Sequence, residues 1–432
     1  MAKILELLKK EKLNGWILYF LCLGIIQALW TNPSSFPPLP FRLLMTVGVF
    51  IPILFRRDLV LFAFPFFIIL RGQLSTAYQY LPDVYSYSFY IILIIAAIIF
   101  HAKSIGRLDL KSIMPLLLFC IYVVFVDVFA TMEIGKYATN IFIVLLLFLF
   151  IENEKDVHIF SAALVTVCTL LAIYYIIMYD TFLETWNAED KIERSGWNDP
   201  NYFSILLGTG FMIAILYLLD YLKSDLWIFN KKILLVSCVL IFATVVMTAS
   251  RAGFLSLALI TIFAILKSRP KFTTLILSTI IILAAIIVLY NVGAFDTLIY
   301  RVFEQGNLDT GGDRTTIWAK AFENFQLQSF HNQLFGGGYW HRIELTGGGE
   351  THNEMVAVFT DYGFIGTILF FFLILSMFSF KGMYSSPRNI ATIFYLFCIA
   401  SLSPFQYINI GFLIIWILGL KRIGNTSSNC IQ

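Results

Sequence analysis

Long apolar stretches separated by short polar joints run almost from one end of the chain to the other. They fall at 13–30, 39–55, 59–74, 85–100, 110–131, 134–151, 157–179, 201–222, 233–250, 252–266, 272–292, 352–380, 389–402 and 405–420. The pattern predicts an all-α, polytopic bundle of transmembrane helices. Fourteen stretches can be counted. Several are shorter than the roughly 20 residues of a straight span, so twelve or thirteen spans, with some segments re-entrant, also fit. Two joints are too long to be turns, 180–200 and 293–351. A long loop in a compact protein is usually functional. The organisation expected is therefore transmembrane helices over 1–292, interrupted by the loop 180–200. A large extracytoplasmic loop follows over 293–351, then C-terminal transmembrane helices and a short tail over 352–432.

Composition agrees with immersion in lipid. Hydrophobic residues make up 59% of the 432 and charged residues only 13%, and the mean hydropathy is +0.82. Soluble domains run near a quarter charged. Net charge is +3 and dispersed, which leaves no basic block for nucleic acid. Six cysteines show no metal or redox spacing and predict no disulfide framework. The first apolar stretch follows Lys3, Lys9, Lys10 and Lys12 without a small-residue cleavage site, as expected of a retained span.

With the N-terminus inside, alternate joints divide the 30 Lys and Arg residues two to one in favour of the cytoplasmic side. This positive-inside bias predicts cytoplasmic termini and puts both long joints outside. The outer cations include Arg194, Arg251, Arg314 and Arg342. Since cationic residues are biased inward, those left outside call for another reason.

Four segments hold the candidate chemistry. In TASRAG, Thr248–Gly253, Arg251 sits between two apolar runs with no room for a loop. It reads either as a snorkelling anchor or as a cation that small neighbours let another group approach. In GGDRTTIWAKAFENF, Gly311–Phe325, Asp313 is a predicted N-cap. Arg314, Trp318, Ala321 and Phe325 then share a helix face, with Arg314 beside free N–H groups in a local anion site. In THNEMVAVFTDYGFIGTILF, Thr351–Phe370, His352 begins a span on the outer side, and its imidazole is able to accept a proton near neutrality. Asn353 and Glu354 are candidates to orient it. In RSGWNDPNYFSILLGTG, Arg194–Gly210, Asp199-Pro200 marks a turn before the next span, and Arg194 adds a further outer cation. Asp127, inside an apolar run, reads as a structural acid paired with Lys136, or as a proton-relay group.

Taken in order, the Ser-Arg turn, the long outer loop with Arg opening an amphipathic helix, Gly336–Gly338 and then His-Asn at the head of a span resemble the O-antigen polymerase and ligase superfamily. The resemblance covers roughly residues 194–366. It implies that Arg251 and Arg314 hold the diphosphate of an undecaprenyl-linked glycan donor and that His352 helps activate the acceptor hydroxyl. Arg194 and Asn353 are carried along as substrate contacts, and Trp318, Tyr339 and Trp340 as aromatic candidates for stacking on sugar.

The chemistry of the residues is compatible with that role. Breaking a sugar–diphosphate bond leaves growing negative charge, which fixed guanidinium groups neutralise. The joint 31–40 lacks any carboxylate, and Glu152, Glu154 and Asp156 fall on the predicted cytoplasmic side. No catalytic metal or cofactor is therefore expected. The function expected is an inverting glycosyltransferase of the bacterial plasma (inner) membrane, with its active site on the periplasmic or extracytoplasmic face. It would polymerise lipid-linked repeat units of O-antigen, capsule or exopolysaccharide. The alternative is a ligase that passes the glycan to lipid A core or to protein. A lipid-linked sugar transporter predicts matched internal repeats, which the chain does not display.

Overall fold

The computed structural model describes residues 48, 51–56, 58–65, 83–101, 110–132, 134–177, 200–248, 250–267, 290, 314–379, 386–401 and 408–429. Among these there is no β-strand. The long helices are α1 (Asp83–His101), α2 (Leu110–Thr131), α3 (Lys136–Leu149), α4 (Glu154–Ile177), α5 (Pro200–Leu218), α6 (Lys231–Met247) and α7 (Arg251–Lys267). Three shorter helices follow: α8 (Arg314–Gln326), α9 (Phe330–Phe335) and α10 (His341–Thr346). The chain then re-enters the bundle as α11 (Glu354–Met377), α12 (Pro387–Ser401) and α13 (Ile408–Asn429). This is the polytopic helical membrane architecture that the apolar pattern predicts. Four described helices are long and apolar enough to cross a membrane, within Ser112–Thr131, Glu154–Ile177, Asn201–Leu218 and Glu354–Met377. The stretch at 13–30 lies outside the described residues, as do that at 272–292, except for Tyr290, and most of those at 39–55 and 59–74.

The outside of the bundle is apolar. On α2, Met114, Leu118, Ile121, Phe125, Val128 and Phe129 are exposed. Their spacing of three and four residues forms one stripe. A stripe of this size facing outward suits lipid and not water. In lipid, apolar transfer adds little to association, so helices are held by close packing and polar contacts.

Helix α13 is the hub, packed against α2, α3, α4, α5, α11 and α12. Residues 411–419 of it are all buried, and Trp416 donates its indole N–H to Ser161 Oγ on α4 at 2.7 Å. At one end of the bundle Arg422 caps the α3 terminus by donating to Ile151 O at 2.6 Å. At the other end lie the α8–α10 helices, which form a cap.

The 314–351 part of the predicted large loop is therefore compact. Helix α8 docks on α11 through rings: Phe325 stands 4.2 Å from Phe359 and Phe322 stands 5.4 Å from it, centroid to centroid. Helix α11 is broken at Gly363, whose φ of 64° and ψ of −164° leave the helical region. The break is filled from the cap. A Cβ on Gly363 would come within 2.7 Å of Gln333 O, Leu334 O and Gly336 N, and one on Gly336 would overlap Asp361 O. These two glycines let the cap backbone enter the notch. The Tyr122 hydroxyl on α2 reaches both sides of it, 2.9 Å from Phe335 O and 3.0 Å from Tyr362 O.

Candidate functional site

At the capped end, polar side chains from two segments converge on the last turn of α12. A helix C-terminus carries carbonyls without intrahelical partners and a partial negative charge. Arg314, the first residue of α8, donates from Nη1 to Ser401 O at 3.2 Å. Asn353 donates from Nδ2 to Ala400 O at 3.1 Å, while its Oδ1 caps α11 by accepting from Val356 N at 3.1 Å. Trp318, one turn after Arg314, ties α8 to the same segment by donating from Nε1 to Thr351 O at 2.7 Å. The predicted face of α8 is thus the observed one, with Ala321 and Phe325 buried. Its proposed cap, Asp313, lies outside the described residues.

His352 lies between Thr351 and Asn353, with two differences from the sequence expectation. It precedes α11 and does not begin it, because Asn353 is the N-cap. Its φ of 46° is left-handed, a conformation that costs a non-glycine residue about 1–3 kcal/mol. Asn353, expected to orient the imidazole, instead commits its amide to Val356 and Ala400.

Arg251 opens α7 after a three-residue joint; its side chain lies outside the described residues. The joint is rigidly built. Ser250 Oγ accepts from Gly253 N at 3.0 Å, an N-cap bond, donates to Asn201 Oδ1 at 2.8 Å and sits 2.8 Å from Ser204 Oγ. A Cβ on Gly253 would overlap Ser204. Of the small residues expected to admit another group to Arg251, Ser250 and Gly253 pack against the neighbouring helix α5.

Helix register sets the level of Arg251. A cavity of about 80 Å³ between α7 and α12 is lined by Ser256, Ile260, Ile390, Phe394 and Phe397, among others. The start of α7 is tied to the start of α5 through Ser250 and Asn201, Ser256 of α7 and Phe394 of α12 both lie against Gly208 farther along α5, and Ser401, seven residues on from Phe394, meets the cap through Arg314. The α7 N-terminus, Arg314, His352 and Asn353 thus share one end of the bundle. Arg194 lies outside the described residues.

Tyr339 belongs to a second cluster, which sequence reasoning missed. Arg342 and Asp361 are both fully buried and joined by a side-chain ion pair between Nη1 and Oδ2. Asp361 Oδ1 also accepts from Arg342 N at 2.6 Å, and Glu350 Oε2 lies 3.3 Å from Arg342 Nε. Burial alone would pull the guanidinium down, but the Asp361 and Glu350 carboxylates outweigh it and hold its pKa above the ordinary value. The guanidinium packs 5.5 Å from the Tyr339 ring and 5.3 Å from Trp340. Burial raises the Tyr339 phenol pKa above its usual range. Asp127 on α2 accepts from Tyr339 N at 2.9 Å and from Gly135 N at 3.1 Å. Asp127 thus ties the cap backbone and the α2–α3 turn to α2 through backbone amides. The side chain of Lys136, expected as its partner, lies outside the described residues. An acid within the apolar run at 352–380 and an arginine left on the outer loop were the signals available for Asp361 and Arg342.

Fold and site together define a polytopic helical membrane protein with Arg314, His352 and Asn353 at its capped end. Two comparisons say what it is similar to. Residues 236–371 match the family model described as O-antigen ligase. The chain is also 27% identical over 244 residues to the ComP-specific O-oligosaccharyltransferase of Acinetobacter baylyi. That match takes in 50% of this chain and 42% of the relative, so the chain matches less than half the length of that protein. Both findings support the O-antigen ligase superfamily, with the family match running from α6 into α11 and including Arg251, Arg314, Arg342, His352 and Asn353.

Proposed function

We propose that the protein is an inverting membrane glycan transferase that uses a polyprenyl-diphosphate-linked oligosaccharide, with undecaprenyl as the expected lipid, on the extracytoplasmic face of the plasma membrane. The observation that carries this reading is the convergence of Arg314 and Asn353 on the α12 terminus, beside His352 and level with the start of α7. In the step proposed, the anomeric carbon–oxygen bond to the diphosphate breaks and a new one forms to an acceptor hydroxyl. Arg314 and Arg251 neutralise the departing diphosphate. His352 takes the hydroxyl proton and later releases it to solvent or to the diphosphate. Attack opposite the leaving group inverts the anomeric carbon. The arginines supply the charge neutralisation, and no metal is invoked.

The sequence reading favoured a polymerase. The family description and the relative's name support transfer of the finished glycan to a separate acceptor, lipid A core or protein, at least as well. We take ligase-type transfer as the leading form. The test uses purified protein in lipid discs with a lipid-diphosphate glycan donor and candidate acceptors. Arg314→Ala and Arg251→Ala are expected to lose at least 100-fold in turnover, and His352→Ala to lose turnover with donor binding retained. Turnover retained in either arginine variant would overturn the leaving-group assignment. Products of stepped length would make the protein a polymerase.

A further inference from the structure

The largest cavity among those described lies away from the Arg314 cluster. It is about 680 Å³, between the end of α2 and the corner where α9 turns into α10. This is within the range of small-ligand sites, about 300–1,000 Å³. We propose that it binds the uncharged oligosaccharide portion of a substrate, an inference that rests on the glycan-transferase reading above.

Its lining separates sugar from the other chemistries present. The Tyr339 and Trp340 rings meet at 78° with centroids 5.4 Å apart, forming an aromatic corner for the C–H faces of pyranose rings. Trp340 holds a φ of 74°, a left-handed conformation that is uncommon for so bulky a residue. Asn332, His341 and Glu344 add hydrogen-bonding groups. The His341 ring places Nδ1 3.2 Å from Glu344 Oε2, which fixes the ring beside the cavity, and its Nε2 is buried without a partner among the described residues. A Cβ on Gly337 would overlap the His341 ring, so the turn holds the imidazole closely.

Among the described residues, no Lys or Arg lines this cavity. The nearest guanidinium, Arg342, stands behind the two rings and is bound by Asp361 and Glu350. Among the described residues a diphosphate would thus meet a carboxylate and no fixed cation, whereas an acyl chain would strip water from Thr131, His331, Asn332, His341 and Glu344. An uncharged polyol with apolar faces suits the aromatic corner and the polar groups alike. The chain in question belongs to the donor or to the acceptor, and kinetics separates the two.

The probe is the phosphate-free oligosaccharide released by mild acid from the lipid-linked pool of the producing strain, titrated by calorimetry into the full-length protein in lipid discs. Wild type and Arg314→Ala are expected to bind it equally. Trp340→Ala and Asn332→Ala are expected to bind at least tenfold more weakly, with unchanged melting temperature in at least the Asn332 variant. Trp340→Ala should raise KM for the acceptor if the chain is the acceptor's, or for the donor if it is the donor's. The proposal is overturned if both cavity variants bind as wild type does, or if wild type transfers glycan yet does not bind the free chain. It is equally overturned if phospholipid occupies the cavity and the glycan does not displace it. A wild type that transfers nothing from any lipid-diphosphate donor sinks the transferase reading instead.

Discussion

Arg342 and Asp361, nineteen residues apart in sequence, meet as a fully buried ion pair that fastens the helical cap to α11. Removing one partner of such a pair strands the other charge, at a cost of about 3–5 kcal/mol. Asp361→Ala is expected to lower stability by that amount in denaturant titration in detergent. The double variant Arg342→Met with Asp361→Leu should recover most of the loss, because both fully buried charges then leave together, and Glu350, which loses its Arg342 contact, is partly exposed to solvent. A double variant no more stable than Asp361→Ala would show that the pair is not the fastening.

Asp127 uses both carboxylate oxygens on backbone amides, Oδ1 on Tyr339 and Oδ2 on Gly135. An amide side chain offers one acceptor only, so Asp127→Asn leaves one N–H facing a donor. The expected cost is about 1–3 kcal/mol. Faster hydrogen exchange at Gly135 or Tyr339, without change in the α4–α5 region, is the measurement that checks it.

Three glycines of the cap and its partner helix make an ordered prediction. Gly348 has a φ of 104° with nothing near its missing Cβ, whereas Gly336 and Gly363 combine positive φ with backbone atoms in the way. Gly348→Ala should therefore cost only conformational strain, about 1–3 kcal/mol. Gly336→Ala and Gly363→Ala should cost more than this and release the cap, seen as new protease cleavage within 327–350. Equal effects at all three positions would remove the notch from the account.

Ser250 caps α7 and binds Asn201 on α5. Loss of an N-cap hydroxyl costs about 0.5–2 kcal/mol. Ser250→Ala should show that destabilisation and, because Arg251 is the next residue, a larger fall in donor kcat/KM than in acceptor kcat/KM. Ser250→Thr, which keeps the hydroxyl, should restore part of both. A loss of stability with donor and acceptor kinetics intact would make the cap purely structural.

Much of the bundle was legible because a membrane span writes its length into the sequence. The apolar stretch at 110–131 is the observed Leu110–Thr131, and that at 389–402 differs from Pro387–Ser401 only at its ends. The cap was not legible in the same way. Helices α9 and α10 have six residues each, too few turns for a periodic signal, and 293–351 read as one loop. Arg314, Trp318 and Asn353 could be found because a helix face and an N-cap are local patterns. Arg342 and Asp361 could not be paired from sequence, since their bond depends on a break in α11 that only the cap fills. For the same reason Tyr339 was grouped with Arg314, although the Tyr339 backbone amide is held by Asp127 on α2 and the Arg314 side chain reaches α12.

The two margins of α11 differ in stiffness. Toward α2 the cap is stitched down by Asp127, Tyr122 and the Gly336–Gly363 notch. The α7–α12 seam, by contrast, is lined mainly by aliphatic and phenyl side chains around a small hollow. Parting the first would uncover charge, whereas parting the second would bring hydrocarbon against hydrocarbon. Under the proposed function, a polyprenyl chain entering from the bilayer would meet less resistance at the α7–α12 seam than at the α2 flank.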